Sequence, residues 1–212
     1  VVDPDLMLTV PPHLTAFQGF DALFHITEGY LAKTANTFSD LYALKAIELV
    51  GKSLAAAVKN GSDEKAREGM ALANTLSGMV ESLSSCTSEH SLEHALSAYH
   101  HNLPHGAGLI MISKAYYTHF AETRACDGRM VDMAKALGKA DASQAADFVD
   151  ALSALQKACG VAALKMSDYG IDKADLPKYA KNARETMGGL FGVDPAPLSE
   201  ADSLAILEES YR

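Results

Sequence analysis

The chain has 212 residues, with 18 Lys and Arg against 27 Asp and Glu and a formal charge of −9. That acidic excess argues against a nucleic-acid surface and against docking on an anionic membrane. A hydrophobic share of 48% with 21% charged residues excludes a disordered chain, and 60 Ala and Leu against 16 Val and Ile favour helix over strand.

Residues 1–14 hold Pro4, Pro11 and Pro12 and read as an extended lead-in. From His13 to Leu176 the only proline is Pro104, so long helices can run uninterrupted. Helical periodicity, stops and caps predict helices at 15–33, 39–60, 63–84, 86–99, 106–123, 127–137, 142–158, 173–190 and 199–210. Gly61 followed by Ser62 and Asp63 reads as a helix stop and a new N-cap. Asp141 with Gln144 resembles a capping box for the helix at 142–158. In that helix Ala145, Phe148, Val149, Leu152 and Leu155 share the apolar spacing, with Asp147, Asp150 and Lys157 on other faces. The expected fold is all-α, one helical bundle-like domain of about nine helices over residues 15–212.

Cys86, Cys126 and Cys159 form no CxxC pair, which fits a reducing compartment and a cytoplasmic location. The longest run without Asp, Glu, Lys or Arg, His94 to Ser113, contains His100, His101, Asn102, Pro104 and His105, so a membrane span is not expected. The chain opens Val1-Val2-Asp3-Pro4, with no initiator Met and no basic leader, and reads as a cut inside a longer protein. No GxGxxG, GGGS or GxxxxGK[ST] occurs, so the glycine-rich backbone that cradles a nucleotide phosphate is absent from these residues.

Five of the eight histidines fall between His90 and His105. Asp21 and His25 stand four apart, as do His90 and His94, and an i,i+4 pair shares one helix face. Each pair can grip a divalent ion, or can be an ordinary hydrogen-bonded surface pair. Asp21 and His25 lie among Phe20, Leu23, Phe24 and Ile26, so their face need not be the solvated one. His105, between Pro104 and Gly106, sits at an expected helix start, from which a side chain can be aimed back into a cleft. One Asp oxygen with imidazole nitrogens suits Zn(II), Fe(II), Co(II) or Ni(II) better than Mg(II) or Ca(II). Cys86, four before His90, reads as a small buried hydrophobe rather than a thiolate ligand. His13 and His119 read as surface residues, and His100 and His101 as rim or surface residues.

Gly19-Phe20-Asp21-Ala22-Leu23-Phe24-His25-Ile26-Thr27-Glu28-Gly29-Tyr30 resembles the G-x-D-A-L-x-H-x-x-E-x-Y block of the iron-containing (group III) alcohol dehydrogenases. His90 to Leu96 followed by Pro104-His105-Gly106 is similar to the second block of that family, H-x-x-x-H-x-L and PHG, and Asn60 to Met70 to its NG-x-D-x-x-A-R-x-x-M stretch. The resemblance spans the whole chain. It implies the C-terminal, metal-binding helical domain of such an enzyme, preceded by an α/β nucleotide-binding domain from which residues 1–14 would lead in. The metal ligands it implies are Asp21, His25, His90 and His105, holding Fe(II) first and Zn(II) next, with NAD(P) on the nucleotide-binding domain. The reaction it implies is metal-assisted hydride transfer between a small alcohol and an aldehyde or ketone, with His94 as the proton relay, in a homo-oligomer, a dimer first. A glycerol dehydrogenase-like or dehydroquinate-synthase-like enzyme is the neighbouring alternative, and a non-catalytic helical metal-binding domain the alternative from another class. The interval from His94 to His105 is one residue longer than the commonest family pattern, which makes His100 and His101 candidates for lining the substrate cleft.

Overall fold

A computed structural model describes residues 1–212 and contains nine α-helices and no strand. The helices are α1 (Pro12–Leu31), α2 (Thr37–Lys59), α3 (Glu64–Leu83), α4 (Ser88–Ser97), α5 (His105–Thr123), α6 (Asp127–Ala136), α7 (Ala146–Ala158), α8 (Leu176–Gly192) and α9 (Glu200–Ser210). All nine expected helices are present, and the fold class is all-α as the sequence indicates. No helix is long and apolar enough to cross a membrane.

The largest differences lie at helix starts, with ends shifted by up to two residues. α1 begins at Pro12, because proline's fixed φ suits the first helical turn, where no N–H partner is needed. The segment before it is not wholly extended: Pro4–Met7 form a 3-10 turn capped by Asp3. Asp63 caps α3 by accepting the Ala66 N–H, as expected. Asp141 does not cap α7, which starts four residues later than predicted. The N-cap, Ala145, makes no side-chain cap bond, and Asp147 in the first turn instead ties down the turn before the helix, its carboxylate accepting the Ser143 and Gln144 N–H groups at 2.7 and 3.0 Å. Asp147 is buried, although the spacing places it on a face other than the apolar one.

One continuous apolar core runs through the molecule, centred on α1 and α5. Phe20, Leu23, Phe24 and Ile26 of α1 and Leu109, Ile112, Tyr116, Tyr117 and Phe120 of α5 are all nearly inaccessible to solvent. α1 is a central helix: α2 and α3 pack on it from one side and α5 from another. α4 lies between α5 and α8. This places Asp21 and His25 of α1, His90 of α4 and the first residue of α5 around one region.

α8 is broken within its last turns, where Met187 has a non-helical conformation (φ −130°, ψ 35°). The freed Met187 carbonyl accepts the Ser91 hydroxyl of α4 at 3.0 Å, which fastens the kink to the helix that carries His90.

Candidate metal centre

The donors converge on one oxygen. His25 Nε2 lies 3.6 Å from Asp21 Oδ1, His90 Nε2 3.6 Å and His105 Nε2 3.3 Å. An ion held about 2.1 Å from four tetrahedral ligands keeps those ligands roughly 3.4 Å apart, close to the three distances from Asp21 Oδ1. The donor atoms of Asp21, His90 and His105 form one mutually close group, while His25 groups with His90 and Cys86. Asp21 Oδ1 and His90 Nε2 are buried and have no hydrogen-bond partner. Unpaired buried polar atoms are costly, and these two point into the same space. The residues therefore fit a divalent ion.

The three imidazoles are held from behind by their other nitrogen. Glu28 Oε2 meets His90 Nδ1 and Glu93 Oε2 meets His105 Nδ1, both in close contact. His25 Nδ1 is met by Cys86 Sγ at 3.0 Å and, at 3.6 Å, by the half-exposed Glu81. Cys86 is buried, as the sequence suggests, but it touches a site histidine rather than the core alone. Burial pushes its thiol up to about 11, so it is a neutral S–H rather than a thiolate.

Burial would raise the Asp21 carboxyl, but His105 and His90 outweigh it and hold the group well below the usual carboxylate range. Burial would lower His105, but Asp21 and Glu93 lift it to about 9. His90 is likewise raised, with Glu28 overcoming desolvation.

His94 stands at the rim. Its side chain is exposed, its ring lies edge-on to His105 with centroids 5.1 Å apart, and burial of its inner edge lowers its affinity for a proton. It makes no contact with Asp21 of the kind the other three histidines make.

A cavity of about 380 Å³ adjoins the cluster, bounded by His25, Cys86, His90, His94, Met187 and Leu190. His100 and His101 do not border it. His100 Nε2 is instead 2.8 Å from the Tyr179 hydroxyl of α8, and His101 is exposed. His13 is exposed, as expected, whereas His119 is half-buried beside Phe120. A larger cavity, about 940 Å³ between α5, α6 and α7, contains no histidine or cysteine.

Sequence reasoning did not single out Glu28, Glu93, Met187 or Leu190. Glu28 carried one local signal, an acid among the mostly apolar or small residues of α1, whereas Glu93, in a helix that also holds Glu89, His90 and His94, carried none. Met187 carried none, since the kink that turns it toward the site depends on packing.

An all-helical domain with three imidazoles gathered around one carboxylate oxygen defines a class: helical domains whose donors suit a divalent ion. Residues 15–211 match the Fe-containing alcohol dehydrogenase family, C-terminal. The chain belongs to that family, as its C-terminal helical domain, and membership of an Fe-containing family implies a divalent metal. It is 30% identical to alcohol dehydrogenase 4 of Saccharomyces cerevisiae, over 100% of this chain and 54% of that protein. It is 34% identical to 1,3-propanediol dehydrogenase of Citrobacter freundii, over 99% of this chain and 54% of that protein. The crystal structure of the archaeal halo-thermophilic Red Sea brine pool alcohol dehydrogenase ADH/D1 superposes with a TM-score of 0.92 at 31% identity, over 98% of this chain and 53% of that one. The chain thus spans about half the length of the curated relatives it matches.

Proposed function

We propose that Asp21, His25, His90 and His105 hold one divalent ion, Fe(II) first and Zn(II) next. The observation that carries this reading is the convergence of three Nε2 atoms on Asp21 Oδ1 at 3.3 to 3.6 Å. Residues 15–212 act as the metal-binding half of an NAD(P)-dependent alcohol dehydrogenase, with residues 1–14 leading in from a nucleotide-binding half. The full protein interconverts a small alcohol with its aldehyde or ketone in the cytoplasm, as a homodimer. The names of the relatives, alcohol and 1,3-propanediol dehydrogenases, support this substrate class over glycerol.

When bound, the ion supplies Lewis acidity, which lowers the pKa of an alcohol hydroxyl and polarises a carbonyl. The chain's own residues do the rest. Met187 and Leu190 offer an apolar wall to the substrate's carbon chain. His94, exposed beside the donors and with a depressed proton affinity, is free to take the hydroxyl proton at an imidazole nitrogen and pass it to solvent. The buried faces of α1, α4 and α5 exclude water behind the donors.

The test is NAD(P)+-dependent oxidation of short alcohols by the polypeptide that carries both halves. Activity should fall when the metal is removed by a chelator and return with Fe(II) or Zn(II). Turnover that is indifferent to chelation would contradict the reading.

A further inference from the structure

Two carboxylates behind the donors are more deeply buried than the donors they touch. Glu28 and Glu93 are both fully inaccessible to solvent. A buried carboxylate costs several kcal/mol in desolvation unless partners offset it, so each placement needs a reason.

For Glu28 part of the reason is structural. Its Oε1 accepts the Thr87 N–H at 3.1 Å, the Thr87 hydroxyl at 2.8 Å and the His90 N–H at 3.2 Å. Thr87 is the N-cap of α4 but makes no side-chain cap bond of its own. Glu28 therefore caps α4 from α1, where a negative charge also suits the helix N-terminus. Its second oxygen is left for His90 Nδ1.

Glu93 has no such structural duty. Its only hydrogen-bond partner is His105 Nδ1, and its other oxygen, Oε1, is buried and unpaired. The slot it occupies exists because residue 108 is glycine: a Cβ there would stand 2.6 Å from Glu93 Oε1 and 2.7 Å from its Cγ.

A neutral imidazole carries one proton, and the nitrogen opposite it supplies the lone pair. A carboxylate on Nδ1 keeps the proton there and leaves Nε2 as the donor. Resting on the metal-centre reading above, we propose that Glu28 and Glu93 are positioning residues of that centre. Each holds one imidazole, His90 or His105, in the tautomer and ring orientation that present Nε2 toward Asp21, and Gly108 keeps the Glu93 slot open. The third imidazole, His25, is backed by the Cys86 thiol at 3.0 Å and only at 3.6 Å by a half-exposed carboxylate, Glu81, so the centre has two firmly held donors and one held more loosely.

The experiment measures Zn(II) affinity by chelator competition, and the visible spectrum of the Co(II)-loaded chain, for wild type, Glu28→Gln, Glu93→Gln, Glu93→Ala and Gly108→Ala. Circular dichroism checks the fold of each. Glu89→Gln is the control: it removes a buried carboxylate of the same helix, but one whose hydrogen bond goes to the Tyr117 hydroxyl rather than to an imidazole nitrogen. Loss of such a partner weakens binding by about 10- to 100-fold. We expect that loss in Glu93→Ala, a smaller one in the Gln variants, whose amide oxygen still accepts the Nδ1 proton, and an altered Co(II) spectrum in Gly108→Ala, with Glu89→Gln unchanged. Wild-type affinity and spectrum in folded Glu93→Ala, Glu93→Gln and Gly108→Ala would overturn the positioning role while leaving the metal centre standing. A wild-type chain that binds neither ion saturably would overturn both.

Discussion

Gly106, the second residue of α5, lies directly against the backbone of Phe17 in α1: a Cβ on Gly106 would stand 2.2 Å from the Phe17 carbonyl oxygen. Asp21 is one helical turn beyond Phe17, and His105 is the residue before Gly106. This contact therefore sets how closely two of the proposed donors approach. Gly106→Ala should force α1 and α5 apart and cost about 1–3 kcal/mol, the usual penalty of overpacking. Thermal denaturation together with Zn(II) titration should show lowered stability and weakened binding. A variant with wild-type stability and affinity would mean that the close approach is dispensable.

Arg67, in α3, is buried and has no carboxylate partner. Its guanidinium donates to Gly61 O at 2.8 Å, Thr15 Oγ1 at 2.8 Å and Val10 O at 2.9 Å, tying the lead-in to α1 and to the α2–α3 turn. Arg67→Ala should destabilise the chain by about 2–3 kcal/mol, and residues 1–11 should become readily cleaved in limited proteolysis. Arg67→Lys should recover only part of this, because an ammonium cannot reproduce the planar fork. Unchanged cleavage in Arg67→Ala would show that the lead-in is anchored by other contacts.

Asp147 predicts a pH dependence. The Ser143 and Gln144 N–H groups, with Lys139, hold its carboxyl at about 2, below the ordinary 3.8. A depressed folded-state pKa means that the ionised group adds stability at all pH values above the ordinary one, and that this is lost as pH falls from 3.8 toward 2. Asp147→Asn should thus be less stable than wild type at neutral pH, and the gap should narrow as pH falls through that window. Urea denaturation at pH 6 and at pH 3 measures it. A gap that is constant or grows in acid would be inconsistent with an ionised carboxylate holding this turn.

These residues also show what was legible in the sequence. Helix existence was written in local spacing: nearly proline-free stretches and apolar periodicity mark each of the nine helices. For the site, helical spacing paired Asp21 with His25 and His90 with His94, whereas the set of four proposed donors, with His105 in place of His94, came from the resemblance to the family's blocks. What could not be read were relationships across distance. Glu28 serves a helix that begins sixty residues later in the chain (88 minus 28), and no local pattern says so. Asp141 looked like the cap of α7, yet the helix starts four residues later than expected without a side-chain cap, and Asp147 inside it holds the turn before the start. His100 looked like a cleft residue because of its place in the chain, yet Tyr179 of α8, far along the sequence, claims its ring.

The most direct test of the central claim is metal content. Purified chain, loaded with Fe(II) or Zn(II) and freed of excess, should carry one ion. Alanine at Asp21, His25, His90 or His105 removes one donor from the ion and should cut occupancy steeply. His94→Ala should keep most of the ion, because His94 stands at the rim and is proposed to serve the proton rather than the ion. Elemental analysis of these six proteins decides the matter. Retention in His94→Ala with loss in the other four is the predicted result; loss in His94→Ala equal to that in His90→Ala, or no bound ion in wild type, would contradict it.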